Sequence, residues 1–195
     1  MISDIFIYDD NFLELDVVEN IQNDVLYGKP FWYSKIGGAL ADGIHGIGGD
    51  QFIDYPLFVN SDMEENNPSS VFSVAKFVVN KFADKHGLKI KEITRSRSNV
   101  SHPSIDRRHT PPHIDNRDDH YVFIYYVNDS DGDTNIYNEK YDGTVRTQDD
   151  LTLFKSITPK SGLGVLFSGK VFHTWQPPLN TKARCIINMN ILLED

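Results

Sequence analysis

The spacing of apolar and polar positions divides the chain into a helical first part and a strand-rich second part. Ile5 to Tyr8 is a short apolar run closed by Asp9-Asp10 and is predicted to be a strand. Over 12–26, Leu13, Val17, Ile21 and Val25 recur every four residues, with Leu15, Val18 and Leu26 widening the stripe. That period belongs to an amphipathic helix. Asp10 or Asn11 stands where it can cap this helix, and Gly28 and Pro30 stand where they can stop it. Residues 30–36 read as a strand. The span 37–67 begins with a crowd of glycines and is predicted to be a long connection, either a surface loop or a lid over a site. A second helix is predicted over 69–85, where Val71, Ala75, Val78 and Phe82 share one stripe with Phe72 and Val79 beside it. Pro68 with Ser69 or Ser70 starts it and Gly87 ends it.

From residue 88 the period changes to two. Residues 88–93 alternate imperfectly, as an edge strand would, and run on into 94–99. Tyr121 to Asn128 is strongly β-prone. Asp129-Ser-Asp-Gly-Asp133 reads as a turn, and 134–137 as the returning strand of a hairpin. Residues 139–150 are polar and read as loop. Further strands are predicted at 151–157, 164–168, 171–175 and 184–193. Two helices followed by about eight strands point to an α+β fold whose strands form a double-stranded β-helix, a jelly roll. The expected organisation is one domain over 1–195, with 1–90 as helical support and lid region and 91–195 as the barrel.

Composition narrows the function classes. A chain of 195 residues is long enough for one real core. Its net charge of −9 opposes general binding to a nucleic-acid backbone, which relies on basic surface. The single cysteine, Cys185, excludes an internal disulfide framework. No run of about 18 apolar residues suggests a membrane span. The first ten residues lack a basic stretch followed by an apolar core, so a cytoplasmic protein is expected.

The chemistry concentrates around residues 109–129. His113-Ile114-Asp115 is an H-x-D pair, and in an extended strand residues i and i+2 point to one side. His173 follows 58 residues beyond Asp115, since 173 − 115 = 58, and Arg184 follows it. Two imidazoles and one carboxylate are the ligand set of a facial triad, which leaves positions open on an octahedral Fe(II). Asn188 shares a strand face with Arg184. Arg97 and Asn99 share another and are candidates to reach a substrate or co-substrate. His102, His109, His120 and Asp118-Asp119 read as solvated loop groups. Trp175 reads as packing at the barrel mouth, and Cys185 as a buried, inert thiol. Arg95, Arg97, Arg107 and Arg108 form a local basic cluster that either attracts an anionic substrate or offsets Asp106, Asp118 and Asp119, and the second reading is favoured.

The order of HID, IYYVND, a strand ending in FSG, a late His and an Arg in a final strand resembles the Fe(II)/2-oxoglutarate-dependent dioxygenases, above all their prolyl-4-hydroxylase-like branch. The resemblance covers residues 93–193. It implies that His113, Asp115 and His173 hold Fe(II) and that Arg184 grips the distal carboxylate of 2-oxoglutarate. It also implies that the Tyr126 hydroxyl touches that co-substrate while Tyr125 faces the other way. Asn188 is placed to add a hydrogen bond to the same carboxylate. No second tyrosine of the branch's kind occurs between 88 and 120. The resemblance further implies O2 as a reactant, room for ascorbate as a reductant, and hydroxylation of a C–H bond in a peptide or small molecule, with a peptidyl proline preferred. Two other classes stay open at this point: a non-catalytic jelly-roll binding module, and a cupin-like metal enzyme that uses no 2-oxoglutarate.

Overall fold

The computed structural model describes residues 5–28, 33–35, 44–45, 57–61, 69–144 and 146–194. Two antiparallel sheets face one another. Their strands are β1 (Phe6–Asp9), β2 (Tyr33–Lys35), β3 (Ile44–His45), β4 (Leu57–Ser61), β5 (Ile90–Ser101), β6 (His113–Ile114), β7 (Tyr121–Tyr126), β8 (Thr134–Lys140), β9 (Leu153–Ile157), β10 (Gly164–Ser168), β11 (Val171–Trp175) and β12 (Arg184–Leu193). The larger sheet runs β1-β10-β7-β12-β5-β4-β2 and the smaller β3-β6-β11-β8-β9. This is the jelly roll expected from the strand count. Strands from the first ninety residues also enter it, since β1 pairs with β10 and β4 pairs with β5.

Helix α1 (Leu15–Gln22) continues as a π-helical turn over Asn23–Tyr27, and α2 spans Ser70–Lys85. The α1 helix starts later than its apolar stripe, with Glu14 at its N-cap, and Asp9 instead accepts a hydrogen bond from the Asn11 amide. The buried side chains of α2 are Val71, Ala75, Val78, Val79, Phe82 and Ala83, the predicted stripe with Val79 and Ala83 added, while Phe72 is only partly buried. Gly87 ends it with φ +64°, a left-handed conformation that glycine adopts without Cβ strain. Both helices lie on one face of the large sheet. There Phe123, Tyr125, Cys185, Ile187, Met189 and Ile191 meet Ile21, Val25, Val71, Ala75, Val78 and Phe82. The opposite face of the same strands, with Val122, Ile124, Tyr126 and Ile186, closes the inter-sheet core with Ile136, Ile157, Leu163, Val165 and Phe167.

Two predicted features differ. Strands β7 and β8 do not form a hairpin: β7 lies between β10 and β12 in one sheet, and β8 pairs with β9 and β11 in the other. The 129–133 turn therefore carries the chain across the sandwich. Strand β5 is an edge only in its first half. From Arg97 onward it is paired on both sides, with β12 and β4. The reading of 37–67 as a surface loop or lid falls outside the described residues, apart from β3 and β4. Among the described residues, no helix is long and apolar enough to cross a membrane.

Candidate metal and co-substrate site

Strand pairing brings the three candidate ligands together. β6 pairs with β11 in a register that sets His113 opposite His173, and their rings lie 4.4 Å apart. Asp115 follows at i+2 from His113. The ligand-capable atoms of His113, Asp115 and His173 all lie within 4.8 Å of one another, and all three residues are buried. His173 Nε2 is 3.8 Å from Asp115 Oδ1.

Backbone carbonyls fix both imidazoles. Nδ1 of His113 lies 3.0 Å from the Pro111 carbonyl, and Nδ1 of His173 lies 3.3 Å from the Val171 carbonyl. A carbonyl only accepts, so Nδ1 carries the proton and Nε2 is left as a lone-pair donor facing the cluster. Backbone hydrogen bonding of this kind is how ligating histidines are oriented. Burial lowers the His173 pKa, against the opposing pull of Asp115. Burial alone would raise the Asp115 carboxyl. The charges of Arg95, then His173 and His113, outweigh it and hold the group well below the usual carboxylate range. The cluster therefore offers two neutral nitrogens and one ionised oxygen, a set suited to a divalent cation such as Fe(II).

The two oxygens of Asp115 have separate roles. Oδ1 faces His173, while Oδ2 lies 3.3 Å from Asn188 Nδ2 and 3.3 Å from an Arg95 terminal nitrogen. Asn188 does lie on the same face as Arg184, but its amide donates to the candidate ligand Asp115. One of its two amide hydrogens thus has an acceptor within the protein.

Arg184 is 3 % exposed. Its Nε donates to the Gly132 carbonyl at 2.9 Å and a terminal nitrogen donates to Thr134 Oγ1 at 2.8 Å. The rings of Tyr126 and Trp175 lie 5.8 and 5.6 Å from its guanidinium carbon, within cation–π range. No carboxylate lies within ion-pair distance of it among the described residues. A cation held this deep, against two aromatic faces, is suited to a ligand carboxylate. The Tyr126 hydroxyl donates to Thr134 Oγ1 at 2.9 Å, and Tyr125 points into the helix-side core, as strand alternation requires. Thr134 thus accepts from both Tyr126 and Arg184, which leaves its own hydroxyl hydrogen free to donate. Its role was not legible in the sequence, where it is one threonine among many at the start of a strand.

His113, Asp115, His173, Arg184 and Asn188 line one cleft with Arg95, Arg97, Asn99, Thr134 and Trp175. Arg97 and Asn99 share the face assigned to them, and the same alternation, carried two residues back, includes Arg95. The reading of the remaining histidines as solvated holds for His102 but not for His120, which is buried. Nδ1 of His120 donates to the Asp118 carbonyl at 2.8 Å, and its ring packs on Gly169 so tightly that a Cβ there would lie 2.3 Å from it. The glycine of FSG is required by this contact. His109 is half-buried and hydrogen-bonded to Thr174 and Asn135.

No family model and no curated protein matches the chain by sequence. Solved structures do match. A Pseudomonas putida prolyl-4-hydroxylase is 12% identical with a TM-score of 0.57, over 99% of this chain and 95% of that one. A Trichoplax adhaerens prolyl hydroxylase, in complex with a hypoxia inducible factor oxygen degradation domain peptide fragment, is 14% identical with a TM-score of 0.58, over 97% and 84%. The epimerase SnoN, in complex with Fe3+, alpha ketoglutarate and nogalamycin RO, is 9% identical with a TM-score of 0.60, over 97% and 79%. The chain has the fold of the 2-oxoglutarate/Fe(II) oxygenases, and within that fold it carries a His-Asp-His cluster able to hold one metal ion.

Proposed function

We propose that this chain is an Fe(II)- and 2-oxoglutarate-dependent dioxygenase that hydroxylates a C–H bond. The observation that carries the reading is the single cleft shared by the His113-Asp115-His173 cluster and the buried Arg184, which has no carboxylate within ion-pair distance among the described residues. Iron held there would supply O2 activation coupled to oxidative decarboxylation of 2-oxoglutarate to succinate and CO2. The protein's own residues do the rest. His113 and His173 present Nε2, and Asp115 presents Oδ1, to one point. Asn188 and Arg95 hold the second carboxylate oxygen away from that point, which favours one bond from Asp115 to the ion and keeps a coordination position open. Arg184 and the Thr134 hydroxyl anchor the far carboxylate of 2-oxoglutarate, with Tyr126 holding Thr134 in place. The inter-sheet core around Tyr126, Ile186 and Phe167 excludes water from the deep end.

A peptidyl proline is the preferred prime substrate, supported by the prolyl hydroxylases among the structural neighbours, and a small molecule is the other class represented there. A cytoplasmic location accords with the single buried thiol. The test is turnover. Protein supplied with Fe(II), 2-oxoglutarate and O2 is expected to release succinate slowly even without a prime substrate. Metal binding with no succinate would leave a binding module. Metal-dependent oxidation indifferent to 2-oxoglutarate and to Arg184→Ala would leave a cupin-like enzyme.

A further inference from the structure

A second crevice, of about 190 Å³, opens between the sheets and shares no lining residue with the metal cleft. Phe6 and Phe167 line it from the large sheet, and Ile136, Phe154 and Val171 from the small one. Phe6 and Phe154 meet edge to face across the gap, with ring centroids 5.1 Å apart. The space lies where β8 and β11 fall out of step. Val171 pairs with Lys140 and His173 with Ile136, so β8 spends 140 − 136 = 4 residues where β11 spends 173 − 171 = 2. A bulge of this kind bends its strand, and the bulged stretch of β8 forms one wall of the crevice.

Two contacts tie this crevice to the metal cluster. Phe167 is buried, lines the crevice, and sets its ring 5.3 Å from the His173 ring at 72°. Ile136, on the crevice floor, is the register partner of His173. His173 itself lines the metal cleft. The Phe167 ring thus stands between the crevice and a candidate iron ligand. The chemistry of the two spaces differs. Asn188 Oδ1 in the metal cleft is buried without a hydrogen-bond partner, whereas among the described residues no side chain lining the crevice keeps such an atom. The crevice therefore makes no demand for a polar guest. Apolar spaces of this size take up small apolar guests such as xenon.

We propose that the crevice admits O2 to the metal cluster from behind, past the Phe167 ring. On the dioxygenase reading, 2-oxoglutarate fills the deep end of the metal cleft against Arg184 and the prime substrate covers its mouth. An O2 molecule arriving after both meets a covered front. O2 is small and uncharged and favours apolar surroundings over water, so the crevice concentrates it next to His173. The inference rests on the dioxygenase reading and adds to it a separate entry for one reactant. Phe167 and Ile136 become the residues that set how readily O2 arrives, without touching 2-oxoglutarate or the prime substrate.

The first test needs no turnover. Crystals of the metal-free protein under xenon pressure are expected to show a xenon atom among Phe6, Ile136, Phe167 and Val171. Two variants then fill the space. Ile136→Phe fills it from the floor. Phe6→Trp narrows it from the partly buried rim, with less demand on the core. Each is expected to lower or abolish the xenon occupancy. In the iron-loaded protein each should raise the half-saturating O2 concentration for succinate release several-fold. The half-saturating 2-oxoglutarate concentration and the Mn(II) affinity should stay unchanged, because neither side chain is assigned to either ligand. A crevice without xenon, or an unaltered O2 requirement in both variants, overturns the proposal. Unmodified protein that holds xenon there but converts no 2-oxoglutarate is a separate outcome, which overturns the dioxygenase reading and the O2 route with it.

Discussion

Strand β12 presents two contrasting faces. Cys185, Ile187, Met189 and Ile191 point to the helices and are entirely apolar. Arg184, Ile186, Asn188 and Asn190 point to the other side, and three of the four are polar although the whole strand interior is buried. One face follows the rule that interiors are apolar and close-packed. The other breaks it with a guanidinium and two amides, and among the described residues Asn188 and Asn190 each keep a carbonyl oxygen without a hydrogen-bond partner. Buried polar groups cost stability when unsatisfied. Departure from that rule on one face only, where the chain also gathers His113, Asp115 and His173, separates scaffold from site within a single strand.

Substitutions on the two faces should therefore have separable effects. The largest is expected at the metal cluster: Asp115→Ala should abolish stoichiometric Fe(II) loading, read by metal analysis, while the far-ultraviolet dichroism stays native. Loading at undiminished affinity would contradict the assignment. Next, Arg184→Ala should raise the half-saturating 2-oxoglutarate concentration about 100-fold, because it removes a buried charge-assisted anchor. A smaller effect is expected one position pair further along. Asn188→Ala should weaken Fe(II) binding about tenfold by freeing the second oxygen of Asp115. Its helix-facing neighbour Ile187→Ala should cost about 2–5 kcal/mol of stability through the cavity it leaves, with Fe(II) affinity unchanged. Equal effects of these two changes on metal affinity would erase the contrast between the faces.

The smallest effect concerns pH. Burial lowers the pKa of His109, His120 and His173 from the ordinary 6.5. The unfolded chain then binds more protons than the folded one below that value, so stability should be full above about pH 6.5 and fall on acidification. The depressed Asp115 carboxyl acts in the same direction at lower pH. Metal-free protein should show a lower urea midpoint at pH 5.5 than at pH 7.5, and a higher one at pH 5.5 would refute the assigned shifts.

What the sequence made legible follows from how local each signal is. The closeness of His113 and Asp115, the second just past the end of β6, and the alternation of Tyr125 and Tyr126 within β7 are local relations, and the fold keeps both. The α2 stripe is likewise contained in one helix. The partner of a residue is a different matter. Asn188 was placed on the correct face, but its hydrogen-bond partner Asp115 lies 73 residues away. His120 looks solvated among Asp118 and Asp119 until Gly169 is folded onto its ring. The 129–133 segment has the composition of a tight hairpin turn. Its Asp131 carboxylate instead accepts hydrogen bonds from the backbone of Leu179, Asn180 and Thr181, which anchors the crossing between sheets to a loop some fifty residues on. Turn chemistry announces a change of direction and does not say which strand comes next.

The central claim is convergence of one ion and one dicarboxylate in this cleft. A crystal soaked with Mn(II) and the inert analogue N-oxalylglycine tests it most directly. The expected result is a single ion bonded by His113 Nε2, Asp115 Oδ1 and His173 Nε2, with the far carboxylate of N-oxalylglycine against Arg184 and Thr134. An ion bound elsewhere, or an analogue that leaves Arg184 untouched, would contradict it.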